Sequence, residues 1–316
     1  MGKKEKLEVP LIDYTVLKGK PFNRLNDVYA KYLFANRANK NLTLALINSV
    51  FELEGRKELV DLEFRDRELD PDHEGGKGVL FDVTGQCSDG TIVNVEFQLT
   101  SMKGMDQRTL YYWSLLYGRR LNSGEEYTSL NRTVVISILA YELFKAEVWP
   151  DYHSSFAVLN TKDLNHRLTD DLEIHFVELP KWERHKSEKK TRLERWLTYL
   201  SPGTTEAERR TLAMEDTVIH DAMQAEKAFL SNPNYITAYE QHEKYVRDMK
   251  AIKAFEKDAG REEGFAAGLE KGRAEGIADT VRALHASGMS EEEIAARLNR
   301  DLSEIRAILV SKDNGV

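Results

Sequence analysis

The fold is decided by one stretch of sequence, Val79-Leu-Phe-Asp82-Val-Thr-Gly-Gln-Cys87-Ser-Asp-Gly90-Thr-Ile-Val-Asn-Val-Glu96-Phe-Gln98-Leu99. Two runs rich in β-branched and aromatic residues flank Ser88-Asp-Gly90, which has the composition of a turn. The glycine supplies the left-handed conformation that a three-residue hairpin loop requires. The stretch therefore predicts an antiparallel hairpin, with strands at residues 78–84 and 91–99.

The hairpin carries two carboxylates whose relative position can be counted along the strands. Period-two alternation puts Glu96 and Gln98 on the same side of the second strand. With a three-residue loop, Cys87 pairs with Thr91, and counting back places Asp82 opposite Glu96, with β-carbons about 5 Å apart. Carboxylates this close repel and raise one pKa unless a cation neutralises them. The alternative is a structural pair satisfied by Arg or Lys in a mixed sheet.

A divalent cation is the functional interpretation of this pair. Mg²⁺ prefers oxygen ligands and commonly binds through one or two carboxylates together with water and substrate phosphate. A metal bound in this way polarises a phosphate and lowers the pKa of its water. The sequence therefore predicts a Mg²⁺ site formed by Asp82 and Glu96, with phosphodiester hydrolysis as the reaction class.

The segments on either side of the hairpin predict a mixed α/β core. Helical periodicity runs through residues 22–51, and alternation at residues 59–64 indicates a strand. After the hairpin, residues 106–121 have a helical pattern, residues 133–139 form a buried apolar run, and residues 172–179 predict one more strand. We expect an α/β fold in which helices flank a mixed sheet.

The sequence after Pro180 predicts helices only. Residues 181–200, 206–230 and 235–256 have helical patterns, with Pro233 as an interruption, and an N-terminal capping box formed by Ser290 and Glu293 precedes two short helices. Between them, glycine recurs at every fourth position, at Gly260, Gly264, Gly268, Gly272 and Gly276. Each Gly costs about 1 kcal/mol relative to Ala in a helix. Small residues four apart allow close backbone packing. We therefore expect a two-fold homodimer through this segment.

These patterns divide the chain into three expected parts. Residues 1–182 form the α/β domain, residues 183–258 a helical region, and residues 259–316 the glycine-repeat helix with a small helical module.

Composition restricts the class of protein further. The chain has 316 residues, of which 41% are apolar and 31% charged, with a net charge of −8. The longest apolar runs are far shorter than the ~20 residues of a membrane span, and the first residues lack an apolar signal stretch. Cys87 is the only cysteine. We expect a soluble cytoplasmic protein without a disulfide, an organic cofactor or a cysteine-based zinc site.

The hairpin also supports a family resemblance. Asp82 followed by Glu96-Phe97-Gln98 resembles the signature of the PD-(D/E)XK nuclease superfamily, with Gln98 at the position where Lys is usual. The wider sequence resembles the Rpn family of recombination-promoting nucleases and transposases over residues 13–182. Five ordered motifs carry the likeness: Asn26-Asp-Val-Tyr-Ala-Lys31-Tyr-Leu-Phe34, Lys77-Gly-Val-Leu-Phe-Asp82, Asn94-Val-Glu96-Phe-Gln98, Arg108-Thr-Leu-Tyr-Tyr112-Trp-Ser-Leu-Leu-Tyr117 and Gly124-Glu-Glu-Tyr127.

The resemblance implies a restriction-endonuclease-like core in which Asp82 and Glu96 bind the metal and Gln98 orients the attacking water. A neutral amide can position water, but it cannot supply the positive charge that stabilises a developing anion. The implied function is Mg²⁺-dependent DNA endonuclease activity in recombination or transposition. The alternative is a catalytically inert nucleic-acid-binding or interaction protein with the same fold.

Five basic residues are candidates for DNA contacts. Lys77 either touches a phosphate or belongs to the loop before the first hairpin strand. Arg108 either faces DNA beside the metal site or extends to solvent while its helix packs on the sheet. Lys186, Lys189 and Lys190 belong to a basic run over residues 181–195 that predicts a DNA backbone contact. The alternative for this run is a solvated helix held by internal ion pairs.

Overall fold

The computed structural model describes residues 8–51, 58–66, 68–69, 79–118, 121, 124–184 and 190–311. The chain divides into two compact units, Met1–Val246 and Arg247–Val316. None of the helices in the described ranges is long and apolar enough to cross a membrane.

A six-stranded mixed sheet forms the centre of the first unit, as the sequence predicts. Its order is β1-β4-β5-β6-β10-β7. The strands are β1 (Leu62–Phe64), β4 (Val83–Cys87), β5 (Ile92–Gln98), β6 (Thr133–Leu139), β7 (His153–Phe156) and β10 (Leu172–Glu178). The pairs β5–β6 and β6–β10 are parallel, and the other pairs are antiparallel.

Two further ladders have two strands each. β2 (Glu68–Leu69) pairs with β3 (Val79–Leu80), and β8 (Leu159–Asn160) pairs with β9 (Asp163–Arg167). The expected strand at residues 78–84 is therefore two strands, because the chain leaves the regular ladder at Phe81 and Asp82. The sequence prediction also missed β2, β7, β8 and β9.

The register of the central hairpin matches the counted one. Val83 lies opposite Val95, and the N–H of Cys87 donates to the carbonyl of Thr91 at 2.8 Å. Gly90 at the turn has φ +87°, the left-handed conformation that glycine adopts without strain. One residue beyond the last paired position, Asp82 is therefore level with Glu96.

Helices cover both faces of the sheet. The helices of the first half are α1 (Asp27–Phe34), α2 (Lys40–Val50) and α3 (Met105–Gly118). Phe34 of α1 stacks on Phe97 of β5, with ring centroids 5.2 Å apart, whereas Tyr112 of α3 packs with Val135 of β6. Because Phe97 and Glu96 alternate along β5, the first contact marks the face opposite Glu96.

Helices after the sheet complete the same core. They are α4 (Leu179–Arg184), α5 (Arg192–Leu200), α6 (Glu206–Glu215), α7 (Thr217–Leu230) and α8 (Pro233–Ala286). Trp182, Trp196 and Phe229 belong to one hydrophobic cluster with Phe97 and Leu33. The compact unit thus extends to Val246, and the sequence-based division at residues 182 and 258 stays a proposal about sequence segments.

A buried ionic cluster joins the N-terminal segment to these helices. The guanidinium of Arg24 donates to both carboxylate oxygens of Glu226, at 2.6 and 2.8 Å, and also donates to Glu206 at 3.0 Å. The hydroxyl of Tyr14 donates to Glu226 at 2.6 Å and to Glu206 at 2.8 Å. We call these four residues the Arg24 cluster. Its hydrogen bonds satisfy a charged pair of which at most 2% is exposed.

The second unit contains most of α8 and two short helices, α9 (Glu291–Leu298) and α10 (Leu302–Val310). The predicted capping box is present, since Ser290 and Glu293 exchange side-chain to backbone hydrogen bonds. Val281, Ile294 and Ile305 form its small core. The glycine repeat lies inside α8, and a β-carbon on any of its five glycines would meet no side chain or other segment of the described residues within 4 Å.

Candidate active site

The break between β3 and β4 positions Asp82. Because the chain is irregular there, the carboxylate turns toward the neighbouring strand, and its Oδ2 accepts the N–H of Phe97 at 2.9 Å. The residue is only 8% exposed. Its other oxygen, Oδ1, lies 3.3 Å from the Nζ of Lys31.

Glu96 lies in the middle of β5 and is 2% exposed. Its Oε1 accepts the backbone N–H of Asp82 at 3.2 Å and the side-chain amide of Asn94 at 3.0 Å. Its Oε2 accepts the amide of Gln98 at 3.3 Å and lies 3.9 Å from the Nη2 of Arg108. Each carboxylate thus has one oxygen held by backbone or Asn94 and one facing a longer polar side chain.

Burial raises the pKa of both carboxyls of this pair, and the charge of Asp82 raises that of Glu96 further. Burial, followed by the charge of Asp82, raises the pKa of Glu96 to about 8, although Asn94, the Asp82 N–H and Arg108 lower it in part. Burial also raises the pKa of Asp82, against the opposing effects of the Phe97 N–H and Lys31. The protein alone therefore supplies too little positive charge to keep both groups fully ionised at neutral pH.

Lys31 is a site residue that the sequence analysis did not assign. It reaches the pair from α1 on the opposite face of the sheet, and its Nζ lies 2.7 Å from Asp27 as well as 3.3 Å from Asp82. Burial alone would lower the pKa of Lys31, but the hydrogen bond to Asp27 and the charge of Asp82 raise it above its usual value. The i,i+4 spacing of Asp27 and Lys31 was the available signal.

Gln98 and Arg108, two residues that the sequence analysis selected, both lie beside the Asp82–Glu96 pair. Gln98 shares the face of Glu96, as alternation predicts, and bonds it directly. The guanidinium of Arg108 lies over the ring of Tyr112 at 4.8 Å, and its Nε donates to the hydroxyl of that tyrosine at 2.9 Å. Arg108 is thus held beside Glu96 by Tyr112 of its own helix. Its position beside the carboxylate pair fits a contact with DNA there, and its packing on Tyr112 fits a helix that packs on the sheet.

The donor set fits a hard divalent cation with few protein ligands. Each carboxylate has one oxygen that no backbone N–H holds, Asp82 Oδ1 near Lys31 and Glu96 Oε2 near Gln98 and Arg108. The buried atoms Asn94 Oδ1 and Ser137 Oγ have no hydrogen-bond partner within the described ranges. Ser137 is level with Glu96 on the adjacent strand. No cluster of three or more His, Cys, Asp or Glu residues arranged for a metal occurs in the part of the chain described. Such a cation would take its other ligands from water or substrate.

The remaining candidates for DNA contacts are Lys77 and the basic run at residues 181–195. Lys77, Lys186 and Lys189 lie outside the described residues, and Lys190 is half-buried just before α5. Lys181, counted in the same run, is fully buried and pairs with Glu178 at 2.7 Å.

The arginines of this run are also paired with carboxylates. Arg184 pairs with Glu142 at 2.7 Å and Arg195 with Asp216 at 2.8 Å. Arg192 pairs with Glu58 at 2.6 Å. Long-range ion pairs to other elements therefore occupy much of this run.

A mixed sheet whose central hairpin brings two buried carboxylates together defines an α/β core of the restriction-endonuclease type. A family model described as PD-(D/E)XK nuclease family transposase matches residues 24–256 of the chain. The chain belongs to this family. No curated protein and no solved structure matches it.

Proposed function

We propose that the protein is a metal-dependent DNA endonuclease that hydrolyses phosphodiester bonds in recombination or transposition. The observation that carries the proposal is the adjacency of Asp82 and Glu96, two buried carboxylates with raised pKa values. Membership of a nuclease transposase family supports the same reaction class. We place this activity in the cytoplasm, because the only cysteine, Cys87, is buried and reduced.

Each residue of the site has a distinct role in this proposal. Asp82 and Glu96 would hold Mg²⁺, which supplies Lewis acidity and a more acidic bound water. The hydrogen bonds from Phe97 N–H and Asn94 fix the orientation of the two carboxylates before any ion binds. Gln98 orients the attacking water through its amide, which it can do as donor and acceptor.

A nicking assay on supercoiled plasmid, with and without Mg²⁺, tests the function. The Asp82→Asn variant should lose Mg²⁺-dependent nicking, because it removes one of two charged ligands, while its fold stays intact or becomes more stable. The matched control is Asp106→Asn, which removes an exposed carboxylate at the start of α3 and should nick normally. Undiminished nicking by Asp82→Asn would contradict the proposal.

A non-catalytic role is the second candidate, favoured by the neutral Gln98 and the net charge of −8. In that case the protein binds nucleic acid or a partner without cleaving. Plasmid binding without nicking by the wild type, under any divalent ion, would favour this function. Within the nuclease proposal, Gln98→Ala should slow nicking by on the order of 10².

We also propose that the protein is a homodimer through α8. The support is energetic, since five glycines cost the helix about 5 kcal/mol relative to alanine. Within one copy, no side chain or other backbone segment of the described residues comes within 4 Å of the position that a β-carbon would take on any of these glycines. No contact among the described residues therefore offsets that cost, and a second copy is the simplest partner of a self-complementary face.

A further inference from the structure

Two features of the structure carry proposals beyond this function. The first concerns the missing positive charge at Gln98 and rests on the nuclease proposal. We propose that Lys31 supplies that charge from α1, by donating a hydrogen bond from its ammonium group to a non-bridging oxygen of the scissile phosphate. The second concerns the exposed face of α8 and is independent of the first.

The position of Lys31 meets the requirements of this role. Its Nζ lies 3.3 Å from Asp82 Oδ1, the oxygen that the backbone leaves free, so the ammonium group is next to the carboxylate oxygen that would bind the ion. The side chain is 23% exposed, which leaves room for a phosphate to reach it. Asp27 holds the same ammonium group at 2.7 Å and prevents it from turning away.

The other cation of the site is less suited to move toward substrate. Arg108 is held by the ring and hydroxyl of Tyr112, and its Nη2 is 3.9 Å from Glu96. Lysine carries a compact charge on a flexible chain, whereas a stacked guanidinium is fixed in its plane.

Relocating the lysine tests this role. Lys31→Gln should slow nicking by on the order of 10², and the double variant Lys31→Gln, Gln98→Lys should recover at least part of that loss. Calorimetric titration with Mn²⁺ alone gives a second readout. Removing a positive charge next to Asp82 should tighten Mn²⁺ binding severalfold, whereas a packing role would leave binding unchanged.

The control for this experiment is Lys40→Gln, which removes a lysine paired with Asp61 on the surface and should change neither readout. Circular dichroism at the assay temperature confirms that the variants are folded. A wild type that nicks no faster than Lys31→Gln, or Mn²⁺ binding unaffected by that change, overturns the role of Lys31 alone. A wild type that does not nick at all overturns the nuclease proposal with it.

The second feature is a seam of residues along α8, spaced alternately four and three apart. The seam consists of Asp248, Ile252, Phe255, Ala259, Glu262, Ala266, Leu269 and Arg273. This spacing is that of the contact positions of a two-stranded coiled coil. Phe255 is 75% exposed, Leu269 52% and Ile252 49%, so this apolar face is uncovered in the single chain.

The residues of the seam favour an antiparallel partner of the same sequence. In an antiparallel pairing with the two-fold axis between Gly260 and Arg261, Phe255 lies opposite Ala266 and Ile252 opposite Leu269, so large side chains meet smaller or equal ones. Asp248 then lies opposite Arg273. A parallel pairing would instead place each residue against its own copy, with Asp248, Glu262 and Arg273 all in like-charged pairs.

We infer that a second copy of this chain binds this seam in the antiparallel register. The glycine repeat winds around the helix by about 40° every four residues, and most of it lies on the side of α8 away from the seam, since Gly268 is 18 residues, or about five full turns, beyond Lys250. The seam is therefore a second face of α8, distinct from the one that the glycines line, and its register is tested separately.

A charge swap tests the register in the full chain by analytical ultracentrifugation. Asp248→Arg and Arg273→Asp should each weaken dimerisation by about tenfold or more, because each creates like-charged pairs. The double variant should restore it. Lys250→Asp, on the far side of the helix from the seam, is the control and should dimerise like the wild type. A monomeric wild type, unaffected single variants or a double variant as weak as either single one overturns the inference.

Discussion

Two buried clusters of charge lie in the same compact unit, and they differ in how their charges are balanced. In the Arg24 cluster, a guanidinium and the carboxylate of Glu226 share two hydrogen bonds while almost fully excluded from water. In the hairpin, Asp82 and Glu96 are similarly buried, but both are acids, and the nearest cations approach one oxygen of each at 3.3 and 3.9 Å.

The difference separates a structural use of buried charge from a functional one. A balanced, fully hydrogen-bonded pair holds elements together and has no need of a ligand. In the hairpin, burial raises the pKa of both acids and the charge of Asp82 raises that of Glu96 further, so keeping both ionised costs free energy that a bound cation can offset.

The largest expected effect of one substitution at a single pH comes from breaking the balanced cluster. Glu226→Gln should destabilise the first unit by about 3 kcal/mol, because it leaves the Arg24 guanidinium buried with one charged partner fewer. Urea unfolding followed by tryptophan fluorescence measures this, since all four tryptophans lie before residue 200. Glu206→Gln is the control. Its side chain is 41% exposed, and we expect it to cost less than about 1 kcal/mol. Equal losses of stability in Glu226→Gln and Glu206→Gln would mean that the buried ion pair contributes no more than the exposed one.

The next effect is a pH dependence from the hairpin. The pKa of Glu96 is about 8 in the folded protein against 4.5 as its ordinary value. Between these values the folded state binds a proton that the unfolded state has lost, so stability falls as pH rises. The slope from one group is about 1.4 kcal/mol per pH unit. Urea unfolding of metal-free protein from pH 5 to 8 should show this component in the wild type and not in Glu96→Gln. Parallel curves for the two proteins would refute it.

The smallest expected loss of stability separates the contribution of the Tyr14 hydroxyl to the Arg24 cluster from that of the ion pair. Tyr14→Phe removes one hydroxyl that donates to Glu226 and Glu206. Both acceptors keep the guanidinium as a partner, so the cost should be near the ~1 kcal/mol of one hydrogen bond. The same fluorescence-monitored unfolding measures it, and a loss as large as that of Glu226→Gln would mean that the hydroxyl, rather than the ion pair, holds the cluster.

Local patterns predicted the parts of the molecule that local geometry determines. The hairpin register follows from a three-residue loop, so the placement of Asp82 beside Glu96 could be counted before any tertiary contact was known. Lys31 could not be assigned in this way. It belongs to another element, and its approach to Asp82 depends on how α1 packs on the sheet through contacts such as Phe34 on Phe97.

The incorrect or incomplete predictions concern features that the local sequence pattern does not show. Lys181 was counted as part of a basic surface, but Glu178 holds it in the core, and counting charge in a sequence does not show that partner. The strand β9 was missed because all five of its residues are exposed, which leaves no apolar alternation to detect. β3 and β4 were predicted as one strand because the break at Asp82 leaves the apolar pattern unchanged.

The counted register of the hairpin has a consequence for how this protein can change over evolutionary time. Inserting a single residue within β4 or β5 would turn every later side chain to the opposite face. Glu96 would then point toward Phe34 and the apolar core, and its pairing with Asp82 would be lost. Tolerated length changes between the two acids are therefore those confined to the turn at Gly90 or those made in steps of two. The spacing of the two acids should accordingly vary less among natural variants than the identity of the residues between them.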